Sequence, residues 1–276
     1  GGRGGSTRAG ALGLSGLAIF VGASLGPFAA ELPLGFTGLL LTLAALLIGD
    51  HDVRRRLALV LDVDDLVEAR RLAQTLRPWF GVAKVGLELF SAAGPEAVES
   101  MVDLGYDVFV DLKLHDIPTT VGRASRVLGS LGATYLTMHA FGGVDMLRAG
   151  VEGLAEGAER AGLEPPCALA VTVLTSDAGA PAHILPKRVA MAVEAGCGGI
   201  VCAVSDAREA RLLGPRLTIV TPGIRPAGSP THDQARSATP QEAFDAGADL
   251  LVIGRAVTHA PDPVVAAAEL VESLTL

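Results

Sequence analysis

The sequence predicts a (β/α)8 barrel, the TIM-barrel form of the α/β class. Three observations predict it. From Leu57 onward, eight short apolar runs alternate with amphipathic stretches, and near-continuous apolar strands mark a parallel sheet covered by helices. These units occupy about 220 of the 276 residues, the size of one such barrel. The run after the first strand, Leu61-Asp-Val-Asp-Asp65, lacks the Gly-rich loop that an open doubly wound sheet would place there.

The strand runs are residues 57–63, 82–89, 107–112, 135–139, 168–174, 199–204, 217–221 and 250–253. Helices are predicted over 65–80, 95–104, 119–131, 144–161, 187–195, 206–213, 240–246 and 263–274. The first carries Leu66, Ala69, Leu72, Ala73 and Leu76 as one apolar stripe with charges opposite. Helix starts are marked by Asp64 or Asp65, Gly94-Pro95, Thr239-Pro240 and Asp262-Pro263. Gly105, Gly132, Gly162, Gly196, Gly214 and Gly247 mark ends.

Residues 1–50 differ in character from the barrel domain, 51–276. Residues 9–30 and 32–49 carry no charge, and only Glu31 separates these runs of 22 and 18 residues. Each is near the length a helix needs to span a bilayer. Arg3 and Arg8 precede them and Arg54, Arg55 and Arg56 follow, so a two-helix hairpin would obey the positive-inside rule. The preferred expectation is membrane association through residues 9–49, with the catalytic domain on the cytoplasmic side. The other reading is an artefact: the chain begins with Gly, its first Met is Met101, and the first run is Gly-rich with Pro27 inside it. Under either reading the chemistry belongs to the barrel.

The net charge of -8 argues against nucleic acid as a partner, since that needs a basic surface. It leaves room for an anionic small molecule held by a few arginines. Cys167, Cys197 and Cys202 show no C-x-x-C spacing and read as buried small hydrophobes in a reduced compartment. No Cys, His and carboxylate set has the spacing of a zinc site.

Active sites of this fold sit at the C-terminal ends of the strands, so polar residues there carry the functional signal. Strand one ends at Asp62, which alone would read as a helix cap. Strand two holds Lys84 inside an apolar run, where a bare charge needs a partner or a polar site. Strand three ends Asp111-Leu-Lys113-Leu-His-Asp116. Asp111 and Lys113 are two apart and share one face of an extended strand, and Asp116 follows in the loop. Two charges on one face at a strand end have no packing rationale, so this Asp-x-Lys-x-x-Asp set is the predicted catalytic centre. Strand four ends in His139 and strand five in Thr175-Ser176; His115, His183, His232 and His259 show no pairing pattern. Arg225 and Gly254-Arg255 fall after strands seven and eight, where barrels bind phosphate. The long Gly- and Pro-rich loop after Arg225 suits a lid, with Gln234 its reaching residue.

Taken in order, these strings resemble orotidine 5′-phosphate decarboxylase of the bacterial type: Leu61-Asp-Val-Asp64, Lys84-Val-Gly-Leu-Glu-Leu-Phe90, Asp111-Leu-Lys-Leu-His-Asp-Ile-Pro118, Thr172-Val-Leu-Thr-Ser176, Thr221-Pro-Gly-Ile-Arg-Pro226, Asp233-Gln234 and Ile253-Gly-Arg255. The resemblance spans about residues 56–275. It implies decarboxylation of orotidine 5′-monophosphate to UMP and CO2, the last step of de novo UMP synthesis. It also implies a homodimer with shared active sites and no metal or organic cofactor. By position, Lys113 would donate a proton to C6, with Asp111 beside it. Asp62 and Lys84 would contact the ribose. Asp116 and Thr120 would reach into the partner's site, and Ile117 would be a further substrate-binding residue. Thr175 would lie near the pyrimidine, and Arg225, Gln234, Gly254 and Arg255 would hold the phosphate or close over it. Lys113 between two carboxylates is expected to stay an ammonium. Two small departures are Phe141, where a smaller residue is expected, and a short connection from Asp177 to Lys187. A metal-dependent sugar-phosphate relative and a non-catalytic, membrane-tethered phosphate binder are the competing readings.

Overall fold

The computed structural model describes residues 51–177, 179–225 and 238–275. From His51 on they form one compact unit. The apolar runs at residues 9–49, and Gln234 with its loop, lie outside the described residues. No helix among the described residues is long and apolar enough to cross a membrane.

In chain order the elements are α1 (His51–Arg55), β1 (Leu57–Val60), α2 (Leu66–Leu76), β2 (Val82–Gly86), α3 (Leu87–Ala93), α4 (Pro95–Asp103), β3 (Asp107–Leu114), α5 (Pro118–Gly129), β4 (Tyr135–His139), a 3-10 turn (Ala140–Gly142) and α6 (Val144–Ala161). They continue with β5 (Cys167–Val171), α7 (Ile184–Ala195), β6 (Gly199–Val201), α8 (Val204–Leu213), β7 (Thr218–Thr221), α9 (Pro240–Asp245), β8 (Leu250–Ile253), α10 (Arg255–Thr258) and α11 (Pro263–Thr275). All eight strands are parallel, and β8 pairs with β1 to close the barrel.

The period of two sorts each strand between two cores. Leu57, Leu59, Ala83, Val85, Val108 and Val110 face the helices. Ala58, Val60, Val82, Phe109, Leu169, Val171, Val201, Val220, Leu250 and Val252 fill the barrel itself. One pleat further up, the same inward parity delivers Asp62, Lys84, Asp111, Val173, Pro222 and Gly254 to the C-terminal mouth.

The strand limits correct several expectations. Residues 87–89 are helical, not strand, because α3 starts directly at Leu87; a continuous apolar run does not separate strand from buried helix. Likewise residue 204 belongs to α8, and β1 stops at Val60. The helix signals hold better. Asp65 caps α2 by accepting from the Glu68 N–H at 2.8 Å. Thr239 and Glu242 form a reciprocal capping box on α9. Gly162 and Gly196 end α6 and α7 in the left-handed region. Gly214 does not, with φ -132°; it is small because Leu217 packs over it.

The three predicted basic residues at the barrel entrance are mostly structural. Arg54 donates to the Arg77 carbonyl at 2.9 Å. Arg56 donates to the Ala248 carbonyl at 3.0 Å and stacks 3.8 Å from the Phe244 ring. Only Arg55 of the three is exposed. Cys197 and Cys202 are buried as expected, while Cys167 is half-buried; burial pushes the Cys167 thiol up to about 11 and Cys197 to about 12.

Helices α5 and α6 approach through glycine. A Cβ on Gly157 would sit 2.0 Å from the Arg126 carbonyl oxygen, and one on Gly153 would sit 2.2 Å from that of Gly122. Ala in a helix is ordinarily about 1 kcal/mol better than Gly. Here Gly157→Ala is expected to reverse that sign and destabilise by about 3 kcal/mol, because rigid backbone must move. Urea unfolding measures it; a more stable variant would contradict the close approach.

Candidate active site

The C-terminal mouth opens into a cavity of about 530 Å³. Along its wall the strands place four charges of alternating sign. Asp62 follows β1, Lys84 is on β2, and Asp111 and Lys113 are on β3. Lys84 Nζ lies 3.4 Å from Asp62 Oδ1 and 3.4 Å from Asp111 Oδ2. Lys113 Nζ lies 2.8 Å from Asp111 Oδ1. The Lys84 side chain is only 9% exposed, against 34% for Lys113. Lys84 therefore serves as the fixed interior cation, with two carboxylates meeting its charge. Lys113 has its head in the cavity. Gly86 keeps room for this pairing, since a Cβ there would sit 2.7 Å from Asp62 Oδ1 and 3.0 Å from Lys84 Nζ.

Asp111 is the hub. Burial alone would raise its pKa, but Lys84, Lys113 and hydrogen bonds from Lys113 and Thr137 together hold it below the ordinary carboxylate range. A lowered folded-state pKa adds stability that is complete above the unfolded value and is lost as pH falls through the folded one. Asp111→Asn is therefore expected to destabilise the protein by about 2 kcal/mol at pH 7. Its deficit against wild type should shrink as urea unfolding is repeated toward pH 3. A deficit independent of pH would contradict the ionised hub.

Lys113 reaches its place by an unusual route. Its φ is +49°, the one positive value at a non-glycine position among the described residues. Such a backbone costs about 1–3 kcal/mol and persists only where its surroundings enforce it. The β3–β4 register shifts here: Val110 pairs with Leu136, and Leu114 with Met138. Three β3 residues thus stand opposite Thr137 alone. The extra pair preserves the alternation of faces, so Asp111 and Lys113 do share the cavity, as expected. They share it across a bulge rather than along a regular pleat.

The other sequence-predicted residues divide into three groups. Thr175, Arg225, Gly254 and Arg255 line the same cavity. Asp116, Ile117 and Thr120 do not line it; all three are exposed on the rim before and at the start of α5. Asp116 Oδ1 accepts from the Ile117 N–H at 2.6 Å, and no ion pair joins Asp116 to Lys113 within one chain. Within one chain Asp111 alone of the string's two carboxylates meets Lys113, because the chain turns outward after β3 and carries Asp116 to the rim. Gln234 is outside the described residues.

Sequence reasoning missed four contributors. Thr137 is fully buried beside Asp111 and Lys113; its one signal was a polar residue at inward parity in an apolar strand. Glu88, Thr258 and His259 line the cavity from α3 and the α10 end. The histidines also pair more than their spacing indicated. The His115 and His139 rings lie 5.6 Å apart, and Phe141, 70% exposed, meets both edge-on. Burial, then Arg188, His115 and Lys113, lower the His139 pKa.

Fold and site define a (β/α)8-barrel enzyme whose working end is an array of lysines and carboxylates in one cavity with two arginines, Arg225 after β7 and Arg255 at the start of α10. A family model described as orotidine 5′-phosphate decarboxylase / HUMPS family matches residues 55–270, and the chain belongs to that family. It is 45% identical over 223 residues to orotidine 5′-phosphate decarboxylase of Anaeromyxobacter dehalogenans, covering 77% of this chain and 95% of that one. It is 46% identical over 230 residues to the enzyme of the same name from Thermobifida fusca, covering 79% and 95%. The crystal structure of orotidine 5′-phosphate decarboxylase from Lactobacillus acidophilus superposes with a TM-score of 0.69 at 32% identity, covering 80% of this chain and 100% of that one.

Proposed function

We propose that this chain converts orotidine 5′-monophosphate to UMP and CO2, the last step of de novo UMP synthesis. The observation that carries the reading is the alternating array Asp62, Lys84, Asp111 and Lys113, set in one cavity with Arg225 and Arg255. The C6–carboxylate bond breaks and its electron pair remains on C6. The Lys113 ammonium stabilises that charge and then gives C6 a proton, which solvent later restores. Asp111 and Lys84 keep Lys113 aimed. Asp62 and Lys84 bind the ribose, and Thr175 sits near the pyrimidine. Arg225, Gln234, Gly254 and Arg255 bind the phosphate, whose distant binding energy organises the reacting end.

The working unit is a homodimer in which Asp116, Ile117 and Thr120 complete the partner's site. Their exposure on the rim supports this, as does Ile117 at 65% exposed. The charge-free runs at residues 9–30 and 32–49, with arginines on both sides, support the further proposal that residues 1–50 tie a cytoplasmic barrel, 51–276, to a membrane. Expression of 51–276 alone is expected to give full turnover and to leave the membrane fraction. An inactive 51–276 would contradict the division at residue 50.

Ultraviolet absorbance of orotidine 5′-monophosphate mixed with purified protein tests the main reading. Loss of the substrate band with release of CO2, unchanged by a chelator, is expected. No turnover by a folded dimer would overturn the function, and loss on chelation would favour the metal-dependent relative.

A further inference from the structure

We propose that Thr137 is a positioning residue for this reaction: its hydroxyl fixes the backbone of Lys113 and the carboxylate of Asp111 in one relation. The inference rests on the reading above, that Lys113 delivers the proton. Thr137 does not line the cavity, so it acts through its neighbours rather than on the substrate.

The hydrogen-bond directions are determined by chemistry. The Lys113 N–H can only donate, and it lies 2.9 Å from Thr137 Oγ1, which therefore accepts. The hydroxyl has one hydrogen left to give. It goes to Asp111 Oδ1, also at 2.9 Å. That same oxygen receives the Lys113 ammonium at 2.8 Å. The result is a closed ring that starts at the backbone of Lys113, runs through Thr137 and Asp111, and returns to the tip of the same lysine.

The ring stands where the sheet ladder fails. With three β3 residues opposite one on β4, backbone pairing lapses between Val110 and Leu114. A side-chain hydroxyl takes the place of a ladder carbonyl for Lys113. Thr137 is 0% exposed, so water has no ready path to substitute. A lysine held at φ +49° would relax toward ordinary geometry if this acceptor were removed. Relaxation would move Nζ away from the reacting carbon while leaving the phosphate end of the cavity, built by other strands, as it was.

The test is steady-state turnover of orotidine 5′-monophosphate by the full chain carrying Thr137→Val, Thr137→Ser or Thr137→Cys. Valine copies the shape and removes both hydrogen bonds. It is expected to lower kcat by about 10- to 100-fold, as a small misplacement of a reacting group does. KM should stay within about threefold, because substrate binding draws mainly on the arginine loops. Serine keeps the hydroxyl and should return kcat to within about threefold of wild type. Cysteine, close to serine in shape but a weak hydrogen-bonder, should behave like valine. Thermal melts confirm that the compared proteins are folded; if the valine variant does not fold, the serine and cysteine pair decides. Equal kcat for wild type and valine, or for serine and cysteine, would overturn the inference while wild-type turnover keeps the proposed function standing. A wild-type chain that leaves the substrate unchanged would instead overturn the function and this inference together.

Discussion

Lys113→Ala is expected to lower kcat by on the order of 10⁵-fold. Under the proposed mechanism two contributions would disappear together: the proton donor and the cation nearest the developing charge. Each alone is worth about two to four orders of magnitude. The remaining cation, Lys84, cannot replace it, because Asp62 and Asp111 hold it at 3.4 Å from each and its side chain is only 9% exposed. The phosphate end is untouched, so affinity for UMP should stay within about tenfold of wild type. Isothermal titration with UMP beside a turnover assay separates the two effects. A variant still within about 100-fold of wild-type kcat would remove Lys113 from the proton-donor role.

The second large effect is a recovery. Lys113→Ala and Asp116→Ala should each be nearly inactive alone, yet a mixture of the two should regain about a quarter of wild-type activity. In the proposed twofold dimer each site would draw Lys113 from one protomer and Asp116 from the other. A mixed dimer then holds one site with both substitutions and one with neither. Random exchange makes about half the dimers mixed, and half of their sites are intact. The structure motivates the experiment, since Asp116 is exposed, engages the Ile117 N–H and makes no ion pair with Lys113 of its own chain. Activity that stays at the level of the single variants after exchange would place Asp116 in its own protomer's site or in none.

The barrel was readable because each strand is buried on both sides and so appears as an uninterrupted apolar run. A lysine at position 84 or an aspartate at 111 stands out against that background. Parity then places such residues without further information: Lys84 is two beyond Val82, and Asp111 two beyond Phe109. What stayed hidden depends on contacts between strands. Thr137 looks like any β-favouring residue until β3 slips two residues past β4 beside it. The outward turn after β3 was equally hidden: residue spacing alone sets Asp116 beside Lys113, and only the family resemblance directed it elsewhere. Residues 87–89 failed for a plainer reason, because Leu-Glu-Leu fits the start of a helix as well as the end of a strand.

The glycine contact between α5 and α6 also bears on how the chain folds. These helices are neighbours in sequence, joined only through β4, so their docking closes a short loop and needs little prior order. The stretch from β3 to α6 is therefore the natural place for a folding nucleus, and it carries Asp111, Lys113 and Thr137. We expect Gly157→Ala to act mainly by slowing refolding rather than by speeding unfolding, which a chevron comparison would read directly. On that view the backbone that sets Lys113 against Asp111 is laid down among the first parts of the barrel, before the β7 and β8 ends that carry Arg225 and Arg255 are in place.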